Sequence, residues 1–497
     1  MSVVSVRTYD HLIGGRELAS GGATIERTCP GTGALVARFA EGTADDVAAA
    51  VAAARRAFDD GPWPRLSGTE RARVLLDWAA AIRARAEQLA RIDAEEVGKP
   101  IRLARGDIEV TAGHFEYAAG LAQELRGDAY TNMGAQYLGL VLREPVGVAG
   151  LIMPWNFPAL TFGQKVPYAL AAGCTVVAKP SELTSGSSLE IARLAADVGV
   201  PAGALNVVTG YGMPVGQALV ESPDVDFVSF TGSTVTGQRI AAAAATTTKR
   251  VALELGGKGA NVVFADADLD DALDGALFAV FFNTGECCVA GTRLLVQESI
   301  AEEFVARLVE RARQLRVGGP FDEAAEIGAL IHEAHAKKVL GYVESGTQEG
   351  ARLLTGGRRL DSEHADGVFV APTILDDVQP HMQVFREEIF GPVLSVARFA
   401  DEQEAIALAN DTGYGLGNSV WTKDVDKALR MARALRSGLV WVNTTIDGGP
   451  QLPFGGVKGS GYGREMGRAG LEEYTELKSC LVRTGKRQPF YGAAAAS

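Results

Sequence analysis

Residues 281–291 read Phe-Phe-Asn-Thr-Gly-Glu-Cys-Cys-Val-Ala-Gly and carry Cys287 and Cys288, two of only five cysteines in 497 residues. A thiolate on a tight, glycine-shaped turn is a nucleophile that a substrate can approach closely. Adjacent cysteines fit disulfide geometry poorly across one peptide bond. The C-x-x-C spacing of a dithiol redox protein is absent. The plain alternative is a pair of small buried hydrophobes. The turn alone does not say which sulfur would react, so the decision falls to the rest of the chain.

Other chemistry-bearing residues follow short apolar runs. Asn156 comes after Met153-Pro154-Trp155, and its amide is a neutral donor suited to an oxyanion. Glu254 ends Val251-Ala252-Leu253 next to Gly256-Gly257. Partial desolvation there would push a carboxyl toward a general-base range. Thr231-Gly232-Ser233 ends one run and opens a helix, where backbone amides form an anion site for a pyrophosphate. Lys179 and Glu182 stand where both could hydrogen-bond ribose hydroxyls, and the carboxylate would repel a 2′-phosphate, favouring NAD over NADP. Taken together these groups describe one reaction. A thiolate adds to an aldehyde, a nicotinamide takes the hydride, and water activated by a glutamate hydrolyses the thioester.

The elements that must position these residues are legible from pattern. Strands are expected at 147–153, 174–179, 204–209, 225–231 and 249–255, with helices at about 159–172, 185–197, 213–220 and 234–245. Short apolar runs alternating with helices indicate a parallel sheet of βαβ units, whose ligands bind outside the carboxyl ends of the strands. The alternation restarts with a strand at 260–264, a helix at 269–282, the cysteine turn, a strand at 293–297 and a helix at 299–316, and runs on to about Val442. Before the first unit, hairpins are expected within 10–40, and helices from Thr43 (a capping-box start with Asp46), from about Gly68 to Arg85, from Glu87 to Glu96 and over 101–126. A β-like run at 136–143 reads as a strand that could leave its domain to pair elsewhere. Near the end come a helix at about 463–473, a β-run from Cys480 to Arg483 and an Ala-rich tail expected to fray.

Composition excludes several classes. The net charge of −13 opposes binding to nucleic acid or an anionic membrane surface. No run of eighteen apolar residues suggests a membrane span, and the first residues lack the apolar core of a signal peptide. So few cysteines fit a reducing compartment, and a cytoplasmic location is expected. His332-Glu333-Ala334-His335 is one residue too short for a helical zinc pair. It reads as a solvated helix face, and no metal site is expected.

Over essentially its full length the chain resembles the aldehyde dehydrogenase superfamily. The resemblance rests on Pro154-Trp155-Asn156-Phe157-Pro158, Lys179-Pro180-Ser181-Glu182, Phe230-Thr231-Gly232-Ser233, Glu254-Leu255-Gly256-Gly257-Lys258, Gly285-Glu286-Cys287-Cys288, Glu387-Glu388-Ile389-Phe390-Gly391-Pro392 and Pro453-Phe454-Gly455-Gly456, in that order. It implies that Cys288 is the nucleophile, that Asn156 and the Cys288 amide form the oxyanion hole, that Glu254 is the base, and that Lys165 lies near the catalytic centre. It implies an NAD site of Lys179, Glu182, Gly232, Ser233 and Trp155, with Glu388 and Phe390 at the nicotinamide end. Phe157, Gln164, Cys287, Val289 and Phe454 would line the substrate pocket.

The implied α/β architecture is a Rossmann-like parallel-sheet cofactor domain (1–126 and 147–256), a second α/β catalytic domain (257–472) and a small β oligomerisation arm (127–146 and 473–497), hence a homodimer or homotetramer. Relatives acting on betaine aldehyde surround its cation with aromatic rings. The matching positions here are Phe157, Gln164 and Ala469, so most of that cage is missing. The small residues of 445–450 suggest a roomy tunnel, and Asp447 reads as a solvated loop acid. Two other readings remain: a coenzyme-A-acylating semialdehyde dehydrogenase, against which Glu254 argues, and a catalytically silent homologue, against which Cys288, Glu254 and Asn156 argue.

Overall fold

The computed structural model describes residues 6–19, 21–360, 366–487 and 490–491. An eight-stranded sheet takes its strands in the spatial order Gly461–Tyr462, Arg250–Glu254, Phe227–Thr231, Val148–Ile152, Thr175–Lys179, Leu205–Val207, His11–Ile13 and Arg16–Leu18. Its five central strands are parallel and its flanks antiparallel. The inner strands Val148–Ile152, Thr175–Lys179 and Phe227–Thr231 are mainly apolar because both faces are covered. Ala149, Leu151, Val176 and Ala178 face one core with Trp78, Phe115 and Phe162. Their neighbours Val148, Ile152 and Val177 face the other with Val47, Val51 and Ile240. Successive side chains point to opposite faces, so each strand serves two cores.

A seven-stranded sheet repeats the plan. Its order is Arg352–Thr355, Thr373–Asp376, Val393–Phe399, Arg293–Gln297, Ala260–Val263, Gly417–Trp421 and Leu439–Val442. Val262 and Leu295 enter one core, and Val263, Leu294 and Val296 the other. The two sheets are joined where Arg250–Glu254 runs through the Gly256-Gly257 turn into Ala260–Val263. The carboxyl edge of the first sheet therefore meets the amino edge of the second, and that junction holds the site. Tyr137–Pro145 leaves both sheets and pairs along its whole length with Thr475–Arg483, with Asp128–Tyr130 on its other side.

The expected elements form, with shifts at their ends. Thr43 and Asp46 make the capping box of Ala44–Asp59, and the helices of the first unit run Gly68–Ala84, Ala86–Val97 and Ile101–Ala122. Three differences have physical causes. The stretch 213–220 is a π turn at Gly212–Gly216 followed by a short helix, because two glycines and Pro214 interrupt it. The last helix begins only at Gly467, because the two residues Gly461–Tyr462 pair as an edge strand of the first sheet. Leu471 and Tyr474 then enter the core of the first sheet, so the chain from Gly461 to Tyr474 packs with the first unit, although sequence alone placed it at the end of the second. The residues of the Ala-rich tail, 492–497, lie outside the described set.

Candidate active site

The cysteine turn is built by a backbone that few sequences tolerate. Helix Leu269–Phe281 ends, and Asn283, Thr284 and Gly285 then take φ of +49°, +59° and +74° in succession. Asparagine and glycine are the residues that enter this left-handed region most readily. Asn283 and Thr284 are both 1% exposed. Thr284 Oγ1 accepts the Gly328 N–H at 3.0 Å, which fastens the turn to the segment behind it. Two residues on, Cys287 is buried and Cys288 half-buried.

Asn156, 4% exposed, follows strand Val148–Ile152 and donates Nδ2–H to the Glu286 carbonyl at 2.9 Å. One amide proton is thereby fixed and the other is left for a ligand. Gly257 passes so close beneath that a Cβ there would lie 2.1 Å from the Cys288 carbonyl oxygen, so only glycine lets the two segments meet.

Glu254 is 3% exposed, and neither carboxylate oxygen has a hydrogen-bond partner among the described residues. Burial pushes its carboxyl well above the usual range, Glu465 adds to the rise, and Lys165 and Arg464 oppose it. Lys165 is fully buried, with its amine paired to Glu465 and bonded to Ser229 Oγ at 2.7 Å. Lys165 therefore stands behind Glu254 and sets the charge around it. The Cys288 thiol is also held well above its ordinary value, first by its hydrogen bond with Cys287, then by burial and the charges of Glu388 and Glu254. The Cys288 thiol and the buried carboxyl of Glu254 thus sense each other across the junction.

Comparison with known proteins gives the family. The aldehyde dehydrogenase family matches residues 18–480. The chain belongs to the aldehyde dehydrogenase family. It is 46% identical over 450 residues to betaine aldehyde dehydrogenase of Bacillus subtilis (strain 168), covering 90% of this chain and 92% of that one. It is 45% identical over 466 residues to aldehyde dehydrogenase family 2 member C4 of Arabidopsis thaliana, covering 93% and 92%. Among solved structures it is similar to an NAD-dependent aldehyde dehydrogenase from Sinorhizobium meliloti, with TM-score 0.96, 51% identity and coverage of 97% and 96%. It is also similar to betaine aldehyde dehydrogenase from Staphylococcus aureus in complex with NAD+, with TM-score 0.96, 38% identity and coverage of 98% and 97%.

In this aldehyde dehydrogenase Trp155, Lys179, Glu182, Gly232 and Ser233, the residues expected to hold the dinucleotide, end or follow strands along one carboxyl edge. The strands Val148–Ile152 and Phe227–Thr231 are neighbours, while the chain continues from the former to Thr175–Lys179 on its other side. This reversal is a topological switch point, where open α/β sheets bind ligands. Ser233 caps helix Thr234–Ala245, accepting the Thr236 N–H at 3.3 Å, and Gly232 donates its N–H to the Glu254 carbonyl. Lys179 is 3% exposed, and among the described residues its amine finds the Pro180 carbonyl at 3.2 Å and Glu182 at 3.5 Å. A buried ammonium so thinly partnered suits a ligand hydroxyl. Glu388 Oε1 accepts the Gly257 N–H at 2.9 Å, and burial raises its carboxyl to about 7. Phe390 has φ +61° and meets Trp155 edge-on at 5.4 Å. The residues present fit a dinucleotide.

Cys288 packs in a cluster of apolar side chains. Phe157, Cys287, Val289, Ala290 and Leu416 are its buried members, with Leu160, Phe282, Leu439, Trp441, Ile446 and Phe454 packed against them. Sequence reasoning named Phe157, Cys287, Val289 and Phe454. It missed Phe282, which stacks on Phe157 at 5.8 Å, and Trp441. Phe282 was visible six residues before Cys288. Trp441 comes from a distant strand and had no local signal. Gln164 turns to Met466 Sδ at 3.5 Å. Asp447 is engaged by its own loop, accepting from Thr444 Oγ1 at 3.1 Å and the Gly448 N–H at 2.9 Å.

One expectation is met only in part. His332, Glu333 and Ala334 are exposed, as on a solvated helix face, but His335 is not. His332 caps helix Glu333–Gln348. His335 packs against Trp155 and Phe390, its Nε2 bonds to the Phe390 carbonyl at 2.6 Å, and burial lowers its pKa to about 4. It is a neutral imidazole holding the left-handed backbone of Phe390. Among the described residues no cluster suited to a metal ion occurs and no helix is long and apolar enough to cross a membrane.

Proposed function

We propose that this NAD-dependent enzyme oxidises uncharged, apolar aldehydes, aliphatic or aromatic, to carboxylic acids by the hydrolytic route. The observation that carries the substrate class is the cluster of apolar side chains packed with Cys288. Three further contacts support it. Phe157 already holds the Lys99 ammonium 4.1 Å over its ring, and Lys99 is itself paired with Asp107, so a substrate cation at Phe157 would meet a like charge. Gln164 and Asp447 are engaged elsewhere.

The chemistry follows from the placement of each group. Cys288 gives up its thiol proton to solvent, its Sγ then adds to the aldehyde carbon, and the resulting oxyanion is met by the free Nδ2 proton of Asn156 and the Cys288 N–H. When bound, NAD supplies the hydride-accepting ring. Lys179, Glu182, Gly232, Ser233 and Trp155 hold the cofactor, with Glu388 and Phe390 at its nicotinamide end. Glu182 beside Lys179 disfavours a 2′-phosphate. Loss of the substrate hydride leaves a thioester on Cys288. Glu254, a carboxyl raised by burial and close to the thiol, takes a proton from the water that cleaves it, and the thiolate leaves. No coenzyme A is required.

Thr475–Arg483 is the edge of the arm sheet and exposes Leu477, Leu481 and Val482, which supports a homo-oligomer joined through the arm. Five free cysteines support a reducing, cytoplasmic setting.

The test is kcat/KM across matched straight-chain, aromatic, amino and trimethylammonium aldehydes. Uncharged substrates should exceed trimethylammonium ones by roughly 10²-fold, the scale on which an unmatched polar group is rejected. The highest kcat/KM with betaine aldehyde would overturn the substrate class.

A further inference from the structure

Asn283 stands in the cysteine turn and no step described above uses it. Its side chain is 1% exposed, and both amide protons are placed: Nδ2 donates to the Asn156 carbonyl at 3.3 Å and to the Glu286 carbonyl at 3.1 Å. The Glu286 carbonyl is the same oxygen that Asn156 Nδ2 reaches at 2.9 Å. Two asparagines from distant segments thus converge on one peptide group, one residue before the nucleophile's own amide. The orientation of the Asn283 amide is fixed by chemistry, because the opposite flip would set its oxygen against two carbonyl oxygens. Its Oδ1 is left buried with no partner among the described residues, a cost that a purely structural residue would be expected to avoid. Its φ of +49°, followed by two more left-handed residues, holds the amide where the turn would otherwise relax.

We propose that Asn283 is a positioning residue for the oxyanion hole: it ties the backbone of Asn156 to the Glu286 carbonyl and so sets the direction of the free Asn156 amide proton relative to the Cys288 N–H. This rests on the reading of Asn156 as oxyanion donor. The geometry explains why one residue is needed at this point. Asn156 belongs to the first sheet and Cys288 to the second, and a hole assembled from both requires a fixed tie between them.

Asn283→Gly removes the amide and keeps the left-handed backbone. In the full-length enzyme with NAD it should slow the NADH burst about 100-fold, the loss expected of a misplacement near 1 Å. In an Asn156→Ala background the same change should add less than about 3-fold, because the two losses share one donor. Alkylation of Cys288 by iodoacetamide, which forms no oxyanion, should stay within about 2-fold of wild type.

A double variant that loses the full product of the two single losses overturns the proposal and leaves the Asn156 reading intact. A burst in Asn283→Gly close to wild type also overturns it, as does alkylation that falls in step with the burst. A wild-type burst rate in Asn156→Ala itself overturns both readings. Asn283→Asp tolerates the same backbone and lacks both donors. It carries the test if the glycine variant fails to fold, and wild-type behaviour in it refutes the inference.

Discussion

Replacing Glu254 by glutamine tests the proposed division of labour at the junction. The carboxyl is 3% exposed, neither oxygen is hydrogen-bonded among the described residues, and Glu465 lies close enough to raise its pKa. The amide is nearly isosteric, so no hydrogen bond is lost and a buried group that repels its neighbour becomes permanently neutral. Thermal stability at pH 8 should therefore equal or exceed that of wild type. Catalysis should suffer in one phase only. Removing a general base costs 10²–10⁴-fold, or about 2.7–5.4 kcal/mol of barrier at 1.36 kcal/mol per tenfold.

Stopped-flow mixing with NAD and a straight-chain aldehyde should show one NADH per active site, then a stall. Mass spectrometry should find the acyl group on the peptide containing Cys288. In wild type the deacylation rate should rise with pH, since a base with a raised pKa works only in its deprotonated form. Glu254→Gln should flatten that rise. Unchanged steady-state turnover refutes the role of Glu254. A missing burst refutes it differently, by showing that the carboxylate is needed to deprotonate the thiol and not to cleave the thioester.

Other perturbations probe the supports of the site. His335→Ala frees the Phe390 carbonyl and opens the packing against Trp155, so KM for NAD should rise several-fold with kcat for bound substrate little changed; a pure fall in kcat would refute a role in shaping the cofactor side. Leu481→Glu places a charge on the exposed edge strand of the arm and should shift sedimentation toward the monomer with the circular dichroism spectrum intact; an unchanged sedimentation coefficient would refute assembly through the arm. Asp93 is fully buried, and burial raises its pKa from 3.8 to about 7 against the opposing effects of Lys99, Ser187 and the Ala159 N–H. A raised acid favours the folded state at low pH, and that contribution fades as pH rises from about 4 to about 7. Asp93→Asn should therefore gain melting temperature relative to wild type across that window and hold the gain above it; a pH-independent difference would refute the assignment.

How far the site was legible depended on whether its signal was local. Glu254, Asn156, Lys179 and Ser233 announce themselves because each directly follows an apolar run, and a parallel sheet exposes its ligands there. The two-sheet plan was readable for the same reason, since strands buried on both faces leave continuous apolar runs. The end of the second unit was misread because a two-residue strand such as Gly461–Tyr462 carries no periodicity at all. Cys288 is a different case. It precedes strand Arg293–Gln297 at the amino edge of the second sheet, where the strand-end rule gives no guidance. Residue type singled out the pair of cysteines, and choosing between them needed the family resemblance.

His335 and Asn283 show what a sequence hides when a side chain acts through tertiary contact. His335 sits on a helix whose exposed neighbours, Glu333 and Lys337, make the local pattern polar, and only folding brings Trp155 and Phe390 against it. Asn283 lies inside the very stretch that drew attention first, yet its meaning depends on Asn156, 127 residues away. Each binds a backbone carbonyl of a residue assigned to the chemistry, Phe390 in one case and Asn156 in the other. This is the expected consequence of building an active site from the facing edges of two sheets. Neither sheet alone can fix the relative position of groups it does not own, so the fixing falls to side chains that reach across to main-chain atoms, and such side chains have no motif of their own.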